Sequence, residues 1–479
     1  MNDYDIVEYP HRPIAHAHPD RFAVVAALYG MQPAPLSTSR VLELGCGSGG
    51  NLIPLADLNP EASFFGVDLS DAAIAQGQKR IDALGLCNLR LAQMDVMDFP
   101  ADAGEFDYII AHGLFSWVPQ PVREKVLDIC RRHLAPQGLA YVSYNTYPGC
   151  HLRAMWRDMM QFHAAQFDDR QTRIDQARSL IHLVAHGTGQ DDAAHRLAQE
   201  EDARCAAIPD SGIFHDDLAE LWQPFYVREF AGLAAAHGLQ FVGEAVFGDM
   251  LPVSIDGPAR EALAALEQAS PIAYQQYLDF FRIRRFRRTL LCRDGQVLRR
   301  RPDVDAMRRF HYSAQLERAA VDDPDAPPGS CAFRNRLNDM TVTTGDPAHA
   351  AALDRLMAAW PSTLDFAALC DGDASRFCAV LLDCLASSFL NAHLEARCLP
   401  RESRERPEIW RVTRLEAALG NTLPSMHLGI VQIEDEAVRR QLARFDGSHT
   451  RAELARQCGG AENLASILAR AAKSAILAG

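Results

Sequence analysis

The chain has no surplus of positive charge. Its 48 Lys and Arg face 62 Asp and Glu, for a formal net charge of −14 at pH 7. Sequence-independent phosphate binding runs on excess cation, so this balance argues against a nucleic-acid coat and leaves room only for a local basic patch. No apolar run reaches the ~18 residues needed to cross a bilayer. The opening stretch MNDYDIVEYPHRP is acidic and Pro-containing where a secretory leader would be basic and then greasy. A cytoplasmic location with no membrane partner is therefore expected. The 12 cysteines include no C-x-x-C pair and no partnered His at zinc-ligand spacing, which predicts reduced, mostly buried thiols and no metal site. His16 and His18 resemble half a metal site but lack a second ligand pair. No internal repeat or coiled-coil heptad occurs.

What is present is an ordinary globular composition, 48% hydrophobic and 23% charged over 479 residues, enough for two to four domains at roughly 100–200 residues each. The stretch RVLELGCGSGG (40–50) pairs a short apolar strand with a glycine-rich turn, and 51–58 continues as a helix. ASFFGVDL (62–69) reads as a second strand ending in an acid, and Asp71 to Leu84 as a helix closed by Gly85. Strands follow at 89–94, 106–111 and 139–144, with an amphipathic helix over 121–134. This alternation predicts an α/β fold, a Rossmann-like doubly wound, mostly parallel sheet over 1–150. Residues 151–212 lack strand signals and read as a helical insertion or lid. Residues 213–250 carry a helix, Gly238 and a strand that completes the core sheet. Residues 251–321 read as a helical regulatory region in which Arg282, Arg284, Arg285, Arg287 and Arg288 show cations on one helix face. Asp322 to Gly329 has linker composition, and 331–479 forms a smaller, mainly helical C-terminal domain with a short strand near 428–433.

Gly45, Gly47 and Gly50 fit G-x-G-x-x-G, whose glycines let the backbone approach a ligand while the following helix N-terminus offers free N–H donors to negative charge. A dinucleotide and the carboxylate of S-adenosylmethionine (SAM) both suit that geometry. Glu43 lies before the loop, Asp68 ends the second strand, Asp95 follows the third, and LAPQG (134–138) introduces the fifth. An ionised carboxylate at Asp68 can accept two hydroxyl hydrogens at once.

E-L-G-C-G-S-G, V-D-L-S, Gln93-Met94-Asp95 and L-A-P-Q-G together resemble the motifs of class I SAM-dependent methyltransferases. The resemblance implies a cofactor set of Glu43, Gly45, Cys46, Gly47, Gly49, Asn51, Asp68, Leu69, Met94, Asp95 and His112, and S-adenosylhomocysteine as product. The glycine loop would face the methionine portion, Asp68 the ribose and Met94-Asp95 the adenine. YPHRPIAHAHPDR (9–21), HGLFSWVP (112–119), SYNTYPGCH (143–151), PFYVREFAGLAAAHGLQFVGEA (224–245) and YLDFFRIRRFRRTLLC (277–292) resemble more narrowly the bacterial methyltransferases with a methyltransferase regulatory domain. That group includes rickettsial protein-lysine methyltransferases acting on outer-membrane protein. The resemblance spans roughly the first 310 residues and implies a Trp where this chain has Cys150, which bears on acceptor specificity.

Methyl transfer from a sulfonium depends mainly on positioning donor and acceptor. The expected catalytic residues are His112 and Tyr147, orienting or deprotonating the acceptor, and Asn145, holding it by hydrogen bonds. Phe115, Trp117, Tyr144 and His151 are expected on the acceptor side, Trp117 and Tyr144 walling a channel. The acceptor implied by the resemblance is a protein lysine. A small-molecule N- or O-methyltransferase and a SAM-binding regulatory or scaffold protein stay open as alternatives. The family resemblance also allows a homodimer, of which the residues themselves give no sign.

Overall fold

The computed structural model describes residues 11–187, 192–253, 255–322 and 324–479. Of the segments discussed above, residues 1–10, 188–191, 254 and 323 lie outside the described residues. Five strands run in parallel: β1 (Arg40–Leu44), β2 (Ser63–Asp68), β3 (Leu89–Gln93), β4 (Phe106–Ala111) and β5 (Leu134–Asn145). With β6 (Leu239–Glu244) and β7 (Phe286–Arg293) they form one sheet in the order β3-β2-β1-β4-β5-β7-β6. β7 runs antiparallel to both neighbours. The strand order reverses between β1 and β4, and in open α/β sheets that switch point opens a crevice at the strand carboxyl ends.

Strands buried on both faces explain the near-continuous apolar runs. Val41, Tyr108, Ile110 and Leu139 face one core with α1 (Pro19–Leu28), α2 (Leu52–Leu58) and α3 (Asp71–Leu84). Leu42, Leu44, Ile109 and Val142 face the other, under α4 (Gln120–His133) and the later helix Val227–Ala236. Local chemistry sets the helix limits. The Ser70 hydroxyl accepts from Ala73 N–H (3.1 Å) at the start of α3, and Gly85 ends it in the left-handed region at φ 63°.

The insertion between β5 and β6 is α5 (Cys150–Ala164), α6 (Arg170–His186) and α7 (Ala193–Ala207), with its own core around Trp156, Met160, Ile174, Ile181 and Ile213. Then come α8 (Val227–Ala236), α9 (Pro258–Ala269) and α10 (Pro271–Arg282).

Two expectations need correction. The arginine-rich segment after residue 285 is strand β7 and not a helix. Arg287 is buried between the partly exposed Phe286 and Arg288, and Thr289 to Cys292 are all buried because the strand lies inside the sheet. Arg287 is fully buried and donates to Glu244 (2.6 Å) and to both oxygens of Asp279 (2.9 Å each), so these cations hold the fold together. The stretch 322–329 joins β8 (Leu316–Ala319) to β9 (Cys331–Asn335), which pair antiparallel. The stretch therefore connects two neighbouring strands of one sheet.

Much of the C-terminal region shares the core of the first sheet face. Asp20 of α1 binds His393 (2.6 Å) and Arg397 (3.1 Å), and Trp410 Nε1 donates to Asp57 of α2 (2.5 Å). Residues around Ile409, Phe445, Leu454, Leu468 and Leu477 build a separate small core. Ile430–Gln432 is a strand, paired with Thr422–Pro424, as 428–433 predicts. Among the described residues no helix is long and apolar enough to cross a membrane.

Candidate functional site

The glycine loop leaves β1 at the switch point. Gly45, Gly47 and Gly49 all have positive φ (74°, 54° and 77°), a conformation costly for any residue with a Cβ. Gly45 and Cys46 N–H both donate to Val67 O, tying the loop to the end of β2. A Cβ on Gly47 would meet no atom within 4 Å, so that face of the loop is open to a ligand. At Gly50, by contrast, a Cβ would lie 2.6 Å from Arg12 N, because the chain around residues 11 and 12 crosses directly over the loop. His11 Nδ1 bonds Ser48 Oγ (2.7 Å), and Ile14 N–H donates to Asn51 Oδ1 (3.3 Å).

Under this loop sits Glu43. It is 3% exposed, accepts from Asn51 Nδ2 through Oε1 (3.2 Å), and leaves Oε2 buried with no partner. Burial pushes its carboxyl up to about 8, helped by the nearby Asp68 charge and opposed by the Asn51 bond. A buried carboxylate oxygen without a donor is costly, and a cationic or N–H-bearing ligand in the crevice would relieve it. Asp68 Oδ2 accepts from Gly47 N–H (2.7 Å) and Oδ1 from Ser70 N–H (2.9 Å); each oxygen has a second lone pair. Leu69 is half exposed beside it. Met94 N–H donates to Asp68 O (2.8 Å), and Asp95 caps the next turn by accepting from Met97 N–H (2.9 Å). The structure thus gathers Glu43, Gly45, Cys46, Gly47, Gly49, Asn51, Asp68, Leu69, Met94 and Asp95 along the ends of β1, β2 and β3. Within that group Asn51 positions Glu43, and the Cys46 thiol is buried toward Gly47 O.

At the end of β4, His112 Nδ1 bonds Tyr141 Oη (2.9 Å), and the ring lies between Tyr141 (5.9 Å, near-parallel) and Phe286 (6.0 Å, edge-on). Burial, then the Arg288 and Arg12 charges, lower it to about 4, so the imidazole is neutral near pH 7. Asn145 ends β5: its N–H donates to Ser116 Oγ (2.9 Å), and its Oδ1 accepts from Trp222 Nε1 (3.1 Å). Tyr147 stacks on His151 (4.2 Å between ring centres), with Tyr226 5.2 Å away and its hydroxyl 3.3 Å from His151 Nε2. Burial raises the Tyr147 phenol, so its proton stays on. The Arg157 guanidinium lies against both Trp117 and Trp222, at 5.6 and 4.7 Å, and the two indole rings are themselves 6.4 Å apart.

Two expected acceptor residues are elsewhere. Phe115 is fully buried against Phe225 and Phe230. Tyr144 is stacked on Phe230 at 4.1 Å, with its hydroxyl on Thr289. Both belong to the core under α8, Tyr144 from the internal strand β5 and Phe115 from the turn after β4. Cys150 is buried too, its thiol 3.2 Å from Arg285 O, and burial lifts it to about 11. Sequence reasoning missed Tyr226, Trp222, Arg157 and the crossing segment at 11–14. Tyr226 and the segment at 11–14 lie within stretches that carry the family resemblance, but their partners are remote in sequence, so no local pattern assigned them a role.

A model described as a methyltransferase domain matches residues 41–138, and one described as a predicted methyltransferase regulatory domain matches 209–293. Two uncharacterized proteins of Rickettsia prowazekii are similar. RP789 is 37% identical over 311 residues, 65% of this chain and 56% of its own length; RP028 is 33% identical over 228 residues, 47% of this chain and 91% of its own. The chain thus spans little more than half of RP789. The solved structure of PKMT2 from Rickettsia typhi in complex with AdoHcy has the same fold, with a TM-score of 0.87 at 23% identity, covering 98% of this chain and all of that one. The chain belongs to the class I SAM-dependent methyltransferases that carry a predicted methyltransferase regulatory domain.

Proposed function

We propose that this chain transfers a methyl group from SAM to a nitrogen acceptor, and that the acceptor is a protein lysine side chain. The observation that carries the donor half is the unpartnered Glu43 Oε2 beneath a glycine loop with open space at Gly47. These residues fit a ligand with a cationic amino-acid end, with Asp68 beside it. When bound, SAM supplies a sulfonium methyl that departs by in-line displacement.

The acceptor half rests on the ring cluster of Tyr147, His151 and Tyr226 at the carboxyl end of β5. Aromatic faces attract alkylammonium groups by cation–π contact and cover the methylene stem of a lysine. A lysine amine at about 10.4 must shed a proton before it attacks. His112, held near 4 by burial and neighbouring cations, is too weak a base to take it. Tyr147, kept protonated, offers a hydroxyl to orient the amine. Desolvation therefore does the deprotonating, with loss to water as the ammonium enters a site already bearing Arg288 and Arg12. Asn145, fixed by Trp222, then accepts from or donates to the incoming nitrogen.

The test incubates the full chain with methyl-labelled SAM and a lysate of its source cells, then separates protein, nucleic acid and small molecules. Label on lysine in protein supports the reading. Label confined to the small-molecule fraction refutes the acceptor, and no acceptor-dependent turnover refutes the enzyme. The chain's own lysines, Lys79, Lys125 and Lys473, keep self-labelling easy to assign.

A further inference from the structure

The helical insertion carries a side-chain cluster that methyl transfer does not use. His182 and His186 stand one turn apart on α6, and Asp202 faces them from α7. The potential ligand atoms of all three lie within 4.8 Å of one another. His182 Nδ1 and His186 Nε2 each lie 3.1 Å from the same oxygen, Asp202 Oδ2. The two rings are 4.4 Å apart and inclined at 49°. Among the described residues no Arg or Lys pairs with Asp202; the nearby Arg178 is committed to Asp210 at 3.0 Å.

We infer that His182, His186 and Asp202 form a binding site for a divalent transition cation of the zinc class, which pins α6 to α7. Geometry is the first ground. Zinc bonds imidazole nitrogen and carboxylate oxygen at about 2.0–2.2 Å, and the edge of such a tetrahedron is about 3.3–3.5 Å. Two nitrogen-to-oxygen edges of 3.1 Å therefore need to open by only a few tenths of an ångström. Donor type is the second: two imidazoles and one carboxylate suit zinc, nickel or copper, whereas magnesium and calcium take oxygen. Histidines four apart on one helix face place two nitrogens on one ion, and a third ligand from another helix makes the ion a cross-link. The fourth position opens to solvent, since both histidines are more than half exposed.

The competing explanation is protons in place of the metal, with two ring N–H groups donating to Asp202. Calorimetric titration of the reduced full chain with zinc chloride separates the two. Free thiols elsewhere, including the exposed Cys87 and Cys398, bind zinc in every variant, so the comparison between variants is what counts. The expected result is one equivalent present in the wild type and lost, or weakened by at least about tenfold, in both His186→Ala and Asp202→Asn; that factor is what losing even an outer-sphere partner costs. The wild type should also gain thermal stability from zinc that both variants fail to gain. Circular dichroism checks that each variant is folded. Identical isotherms in wild type and variants overturn the site, and so does wild-type binding in Asp202→Asn. SAM binding measured alongside is expected to be the same in all three proteins, so failure of the metal site is distinct from failure of the methyltransferase reading.

Discussion

Replacing Glu43 by Gln should stabilise the ligand-free protein and weaken SAM binding at once. At pH 7.5 the folded chain largely retains a proton on Glu43, near 8, which the unfolded chain releases near its usual 4.5. That retention opposes folding by about 4 kcal/mol, at 1.36 kcal/mol per pH step over roughly three steps. The sign follows from the raised carboxyl: the penalty is absent below pH 4.5 and grows until the pH passes about 8. Glutamine removes it but keeps the bond from Asn51 only on its carbonyl side, leaving an unpaired amide that costs about 1–3 kcal/mol. The net gain is about 1–3 kcal/mol, or about 1–3 °C in melting temperature for a chain of this size. The same change removes the carboxylate from a charge-assisted contact worth about 1.5–3 kcal/mol, so SAM should bind about 10- to 100-fold more weakly. Scanning calorimetry at pH 5 and 7.5, with titration calorimetry for SAM, reads both effects. A variant that melts lower at pH 7.5, or that binds SAM as the wild type does, refutes the reasoning.

Trp222→Phe removes the donor to Asn145 Oδ1, so turnover should fall about 2- to 10-fold with SAM affinity unchanged, as steady-state kinetics and calorimetry would show. Asn145→Ala should lower turnover further; full turnover would strike it from the site. Arg287→Leu leaves Glu244 buried without its ion-pair partner and Asp279 with Arg284 alone, and should cost about 3–5 kcal/mol in denaturant unfolding. Gly49→Ala places a Cβ 2.9 Å from Leu91 at φ 77°, and should destabilise the loop by about 1–3 kcal/mol while reducing SAM affinity.

The sheet as far as β5 was legible because internal parallel strands write themselves as short apolar runs punctuated by Gly45, Gly85 and Asn59-Pro60. β7 was not. A strand with Arg287 and Arg288 in its middle looks like a cationic helix face until Glu244, remote in sequence, and Asp279 at the end of α10 are seen to neutralise it. Likewise the composition of 322–329 reports a solvated reversal but not whether it joins domains or strands. In the site, the loop and the acids ending β1 and β2 follow from local spacing. Phe115 and Tyr144 were misplaced because a fixed offset from a strand end does not say which face an aromatic takes once α8 covers it. Tyr226 and Trp222 reach the site only through the long insertion, which no local pattern measures.

The central claim is that the crevice between β1 and β4 holds a sulfonium nucleoside against Glu43 and Asp68. A crystal structure of the chain soaked with S-adenosylhomocysteine tests it most directly. The expected result is density there, with a donor from the ligand within hydrogen-bond reach of Glu43 Oε2 and both ribose hydroxyls on Asp68. An empty crevice at saturating ligand, or one that takes NAD in preference, would contradict it.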